Sequence, residues 1–185
     1  MMDFDKAFEL VVGAEGVYSD DPRDYGNWTD GKAKGSKGGV LMGTKYGISA
    51  RVYGEALRKS GVTIKDLTAD QAKDIYKIDY WGVVKCDKLP EQLRYPVFSC
   101  AVNCGTTNAA KILQRTVLAI VDGVVGSATI KAARYYRDIN GLVEDFCHYW
   151  RKHYEQIVEN DESQRCFLNG WIARIKEVQR VNATV

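Results

Sequence analysis

Apolar residues recur at helical spacing along most of the chain, and one early segment breaks the rule. Phe4, Ala7, Phe8 and Val11 or Val12 recur at helical spacing, and Glu15 falls on or next to that face. Residues 16–47 then hold eight of the seventeen glycines, including those of the run from Asp30 to Gly39, and predict a loop, hairpin or flap. Periodicity resumes with a helix predicted over 48–59, capped near Ser49. Thr68 and Gln71 form a capping-box pattern for a helix over about 69–80, ending in Tyr80-Trp81-Gly82. Pro90 suits the first turn of the next helix, which runs through Cys104. Thr106 or Thr107 can cap another, through about Leu118. A turn over 121–127 feeds a short helix. Two long amphipathic helices, about 140–158 and 162–181, close the chain; Leu142, Phe146, Trp150, Phe167, Trp171 and Ile175 are among their apolar residues. The predicted fold is mainly α, with a small β-hairpin or irregular segment at about 17–47 and a helical C-terminal lobe. No low-complexity linker is present. The seam falls near 84–90, dividing a lobe of 1–88 from one of 89–185 packed closely on it.

The chain has 185 residues, enough for one compact domain or two tightly joined lobes. Hydrophobic residues at 45% and charged residues at 27% fit a soluble globular protein. A net charge of +2 with no Lys/Arg block gives no phosphate track and argues against nucleic acid as a partner. Mild basicity does suit an anionic polymer such as a bacterial wall. The five cysteines have irregular spacing, and Cys100 and Cys104 sit one helical turn apart, on what reads as a buried face. With two histidines and no CxxC, a zinc site is not expected; free buried thiols in a reducing cytosol are. The acidic, helix-patterned N-terminus does not read as a signal peptide. No window approaches the roughly 18 apolar residues of a membrane span, so stable membrane insertion is not expected. The protein is thus expected to be made in the cytoplasm. A substrate outside it calls for delivery, by a holin or a secretion system.

The chemistry concentrates in the glycine-rich segment. Glu15 closes an amphipathic helix and precedes a glycine, and Asp24 follows nine positions later. A glutamate at the end of an apolar face can sit over a cleft partly desolvated, which raises its pKa toward the range of a general acid. A glycosidase needs such a proton donor, with a second group nearby to handle water or charge. Asp24 in Asp-Pro-Arg-Asp is a candidate for that second group and equally a candidate turn residue. Thr44 is either a structural hydroxyl or one that orients water or sugar. Tyr18, Tyr46 and Trp81 are candidate sugar platforms, with core or hairpin packing as the alternative. Asn103 shares its helix with the apolar Val97, Cys100, Ala101 and Cys104. If buried it must find partners. It would then fix a backbone loop or reach an N-acetyl group.

The order of motifs resembles a known family. Glu15-Gly16-Val17-Tyr18, then Asp21-Pro22-Arg23-Asp24, then Thr44-Lys45-Tyr46-Gly47-Ile48-Ser49 are similar to glycoside hydrolase family 108, the phage-type N-acetylmuramidases of the "secretion activator" group. The C-terminal half resembles the family's predicted peptidoglycan-binding domain through Val102-Asn103-Cys104-Gly105, Ala110-Lys111-Ile112-Leu113-Gln114, the stretch 121–126 and Phe167-Leu168-Asn169-Gly170-Trp171. The resemblance spans nearly the whole chain. It implies a lysozyme-like fold, peptidoglycan as substrate, hydrolysis of the β-1,4 bond between N-acetylmuramic acid and N-acetylglucosamine, and the role of an endolysin or prophage enzyme. It also implies Glu15 as general acid, Asp24 with Thr44 as the groups that handle water or charge, and no metal or organic cofactor.

Two departures stand out. Val17 replaces a glycine usual in the family. About fifteen residues, 25–39, look inserted between Asp24 and Thr44, which brings Asp20, Asp21 and Asp30 into contention for the second role. A non-catalytic wall-binding protein and a lytic transglycosylase are the alternative readings.

Overall fold

A computed structural model describes residues 1–13, 18–32 and 39–183, Asn140 by its backbone alone. The fold is mainly α and lysozyme-like, with eight α-helices and one two-stranded sheet among the described residues. The helices are α1 Phe4–Val12, α2 Glu55–Lys59, α3 Ala69–Tyr76, α4 Glu91–Cys104, α5 Thr106–Thr116, α6 Ser127–Arg134, α7 Ile139–Asn160 and α8 Arg165–Asn182. The chain forms two compact units, Phe8–Tyr76 and Met1–Ala7 with Lys77–Val185. No helix among the described residues is long and apolar enough to cross a membrane.

The unit Phe8–Tyr76 is organised by a tight hairpin. Strands β1 (Thr44–Lys45) and β2 (Ile48–Ser49) pair antiparallel, Thr44 opposite Ser49 and Lys45 opposite Ile48. The two turn residues both have positive φ, Tyr46 at 52° and Gly47 at 74°, the combination a two-residue hairpin loop needs to match strand twist. The Tyr76 hydroxyl donates to the Tyr46 carbonyl at 3.1 Å and locks the turn. A Cβ on residue 47 would collide with that hydroxyl, so the position requires glycine.

This hairpin corrects the helix expected over 48–59. Ile48 and Ser49 are extended, Ala50–Gly54 make a π-helical turn, and only Glu55–Lys59 are α-helical. Pairing with Lys45 and burial of Ile48 at 1% exposure override the helical spacing. The capping box is present as expected: Thr68 N donates to Gln71 Oε1 at 2.9 Å and Gln71 N to Thr68 Oγ1 at 3.2 Å. Helix α3 ends at Tyr76, and Lys77–Gly82 widen into a second π-helical turn.

The larger unit wraps around α4. Residues Tyr95 to Ala101 of this helix are all buried, the signature of a helix covered on every side. Helices α5, α7 and α8 pack against it. At its middle three rings meet edge to face: Phe4 to Trp81 at 5.6 Å, Phe4 to Phe98 at 5.9 Å and Trp81 to Phe98 at 5.5 Å between centroids. The N-terminus is tied to the first turn of α4 by Met2 N to Glu91 Oε1 at 2.6 Å and by Arg94 Nη1 to the Met2 carbonyl at 3.1 Å. Further along, Tyr154 stacks on Trp171 at 4.7 Å and joins α7 to α8.

One buried side chain holds the irregular stretch before α6. Gln114 is 1% exposed; its Nε2 donates to Asp122 Oδ1 at 2.6 Å and to the Val124 carbonyl at 2.9 Å, while its Oε1 accepts from Gly123 N at 2.9 Å. Asp122 and Gly123 are therefore turn chemistry. Among the cysteines, Cys86, Cys100 and Cys147 are buried and Cys104 is half-buried. Cys166 is exposed on α8, which corrects the expectation of uniformly buried thiols.

The ring cluster yields a test. A fragment ending at Lys88 keeps Phe4 and Trp81 but loses Phe98 and all of α4, so two large aromatic residues would face water. That fragment should be insoluble or melt without a cooperative transition by calorimetry. A soluble 1–88 fragment that melts cooperatively and lyses walls would contradict this account of the core.

Candidate functional site

Glu15 lies outside the described residues, as does Val17. The described part of the site is built from 18–32 and 39–49. Ser19 N donates to the Thr44 carbonyl at 2.9 Å and Thr44 N to the Ser19 carbonyl at 2.8 Å, so the chain at Ser19 is laid against β1. Gly43, at φ +79°, lets the chain pass there: a Cβ on it would strike the Tyr18 ring and the Ser19 carbonyl.

Asn27 is the residue that the sequence analysis missed. It is 0% exposed, within a segment otherwise polar and half-exposed. Its Nδ2 donates to the Asp21 carbonyl at 3.1 Å, and its Oδ1 accepts from the Thr44 hydroxyl at 2.7 Å. Its own carbonyl accepts from Met42 N at 2.9 Å and Gly43 N at 3.1 Å. One side chain thus joins the aspartate-bearing turn to the strand that carries Thr44. It lies within the stretch 25–39 that reads as inserted in the sequence, so the described part of that stretch takes part in building the candidate site.

The hydrogen-bond pattern fixes the chemistry of Thr44. Because Asn27 Nδ2 must donate to a carbonyl, its Oδ1 is the acceptor, and the Thr44 hydroxyl must give its proton to it. Thr44, half-buried, is left with lone pairs and can only accept from a further donor. A water molecule or a sugar hydroxyl is such a donor.

Four aspartates surround this centre in sequence, in different states. Asp24 caps the short 3-10 turn Tyr25–Asn27, its Oδ1 accepting from Gly26 N at 2.8 Å. It is exposed, and its Oδ2 has no partner among the described residues. Asp21 is paired with Arg23, Nη2 to Oδ2 at 2.6 Å; hydrogen bonds from the Arg23 side chain and backbone hold its carboxyl down to about 2. Asp30 Oδ1 accepts from Lys32 N at 3.0 Å. Asp20 is exposed and, after burial, is the second cause that pushes the Tyr18 phenol up.

The aromatic candidates divide. Tyr18 is half-buried, donates to the Met42 carbonyl at 3.3 Å, and has Lys65 Nζ over its ring at 6.0 Å. Tyr46 is half-buried with Lys45 Nζ over its ring at 5.4 Å. Trp81 belongs to the other unit and is 1% exposed, enclosed by Phe4 and Phe98. Asn103 also belongs to that unit; it is exposed, and its Nδ2 bonds back to the Ser99 carbonyl at 2.7 Å within α4. The burial considered for Asn103 is therefore corrected: it sits on the outer side of the last turn of α4. Among the described residues, no group of three or more His, Cys, Asp or Glu side chains is placed to hold a metal ion.

The Asn27–Thr44 pair can be tested by itself. Thr44→Val leaves Asn27 Oδ1 buried without a donor, which should cost about 1–3 kcal/mol in urea unfolding. Thr44→Ser keeps the donor and should stay near wild type. Equal stability of the valine and wild-type proteins would remove Asn27 and Thr44 as the anchor of this segment.

Comparison with known proteins bears on what this geometry serves. The family model for glycosyl hydrolase 108 matches residues 8–105, and that for a predicted peptidoglycan domain matches 108–176. A solved structure titled "Structure of Brucella abortus SagA" is similar over 98% of this chain and 94% of its own, at 26% identity and a TM-score of 0.72. Comparison with curated proteins found no match. The glycosyl hydrolase match covers more than half of the chain and includes Asp24, Asn27 and Thr44. On that match this chain belongs to the glycosyl hydrolase 108 family, a glycoside hydrolase joined to a peptidoglycan domain.

Proposed function

We propose that the chain is a muramidase, hydrolysing the β-1,4 bond between N-acetylmuramic acid and N-acetylglucosamine in peptidoglycan. Glu15 protonates the leaving glycosidic oxygen. Asp24 stabilises positive charge developing on the sugar or takes a proton from water. Thr44, its own proton committed to Asn27, accepts from the attacking water or a sugar hydroxyl and orients it. Tyr18 and Tyr46 supply apolar ring surface beside the sugar.

The observation that supports this reading best is the Asp21–Asn27–Thr44 chain of hydrogen bonds inside the segment matched by the glycosyl hydrolase model. It leaves an acceptor hydroxyl on β1, close in the fold to the turn that Asp24 caps. A glycosidase needs such fixed groups because orientation of water supplies much of the rate.

Glu15→Gln removes the proton donor and keeps the shape. Wall lysis should fall by about 10²–10⁴-fold with the melting temperature unchanged. Lysis at the wild-type rate would exclude Glu15 as the acid.

The aspartates separate in a second experiment. Asp24→Asn keeps an oxygen to accept from Gly26 N, so the turn survives and only the charge is lost. Its initial lysis rate should fall far below those of Asp20→Asn, Asp21→Asn and Asp30→Asn. If Asp30→Asn proves the damaging change, the second carboxylate is Asp30.

A further inference from the structure

A groove of about 720 Å³ lies in the larger unit. One wall is a single face of α6: Ser127, Ile130, Lys131 and Arg134 recur at helical spacing, while Thr129 and Ala133 on the opposite side are buried. The other wall is Lys85 and Lys88, at the short turn before α4, and Tyr135 adds to the rim. Four of the lining residues are cations, and none is acidic. None of the four forms an ion pair with a carboxylate among the described residues. For a chain whose net charge is only +2, this is a strong local concentration.

The walls are held in place. Arg134 Nε donates to the Lys88 carbonyl at 2.8 Å, which joins the two walls and leaves the two terminal guanidinium nitrogens for a ligand. Lys85 is kept at φ +52°, with its N donating to the Gly82 carbonyl at 3.1 Å and its carbonyl accepting from Lys88 N at 2.9 Å. A lysine adopts that backbone only when its surroundings impose it.

We propose that this groove binds the peptide stem of peptidoglycan through its carboxylates. The inference rests on the peptidoglycan reading above. The glycan strand carries little charge of its own; the stem peptides carry the carboxylates. The volume falls in the range of small-ligand sites, about 300–1,000 Å³, and the groove opens to solvent, as a site for a side branch of a polymer must. Ile130 and Tyr135 offer apolar surface for alanine methyl groups beside the cations. Helix α6 lies inside the segment matched by the predicted peptidoglycan domain. Arg and Lys bind carboxylates by charge-assisted hydrogen bonds, and the Arg134 fork can engage one in bidentate fashion.

The test is calorimetric titration of the full chain with the free tripeptide L-Ala-γ-D-Glu-meso-diaminopimelate. Saturable binding is expected, weakening with added salt. It should weaken at least about tenfold in Lys88→Gln/Lys131→Gln and in Lys88→Glu/Lys131→Glu, and to the same degree for the wild type with a carboxyl-amidated tripeptide. The amidated ligand requires no altered protein, so a folding defect cannot imitate the result. Three outcomes would overturn the proposal: no binding of the tripeptide, equal binding by both double variants, or saturable binding of phosphatidylglycerol vesicles in preference to the peptide. The tripeptide has no glycosidic bond. Its failure to bind leaves the cleavage reading intact, and a non-lytic protein that still binds it leaves this one intact.

Discussion

Asn27 is the constraint on which the unit Phe8–Tyr76 depends. Residues 18–32 and 39–49 have almost no regular secondary structure, yet their backbone polar groups still need partners. One buried residue ties several of them together: the Asn27 side chain donates to the Asp21 carbonyl and accepts from the Thr44 hydroxyl, and its backbone carbonyl takes the N–H groups of Met42 and Gly43. Four chain positions are fixed by one residue. The positions include the strand that faces the chain at Ser19 and the turn that Asp24 caps. An apolar residue of the same size would strand donors and acceptors on both sides, so the site tolerates little exchange there.

The larger unit is built on another rule. Its central helix α4 has no solvent face between Tyr95 and Ala101, so it is specified by packing rather than by amphipathic pattern. The Phe4, Trp81 and Phe98 rings bring the N-terminus and the π-helical turn Lys77–Gly82 to its middle. Gln114 does for the 121–126 stretch what Asn27 does in the other unit. In both units an irregular segment is held by one buried amide side chain.

Much of the helical fold was legible in the sequence, for local reasons. The Thr68–Gln71 capping box marks a boundary through hydrogen bonds made within three residues. Pro90 stands immediately before α4, and α7 and α8 appear close to where their apolar spacing puts them. The failures share a cause in long-range partners. Ile48–Ser49 is a strand because of Lys45 and Thr44, and the spacing of apolar residues from 48 onward carries no trace of that pairing. Asn27 was invisible because its partner Thr44 is seventeen residues away and its own neighbours are turn-forming and polar. Trp81 and Asn103 show the limits of residue type as a guide. A tryptophan suits both a sugar platform and a core, and here it is core; an asparagine near apolar neighbours can still occupy the outer face of a helix end. The family motifs, by contrast, were legible because they are short local runs that stand in the family's order, and the glycosyl hydrolase match covers them.

The central claim is hydrolysis at the muramic acid side of the β-1,4 bond. Digestion of purified peptidoglycan with the intact protein, followed by mass analysis of the soluble fragments, tests it most directly. The account predicts fragments whose new ends are reducing N-acetylmuramic acid. New ends of reducing N-acetylglucosamine or of 1,6-anhydromuramic acid, or an absence of soluble fragments, would contradict it.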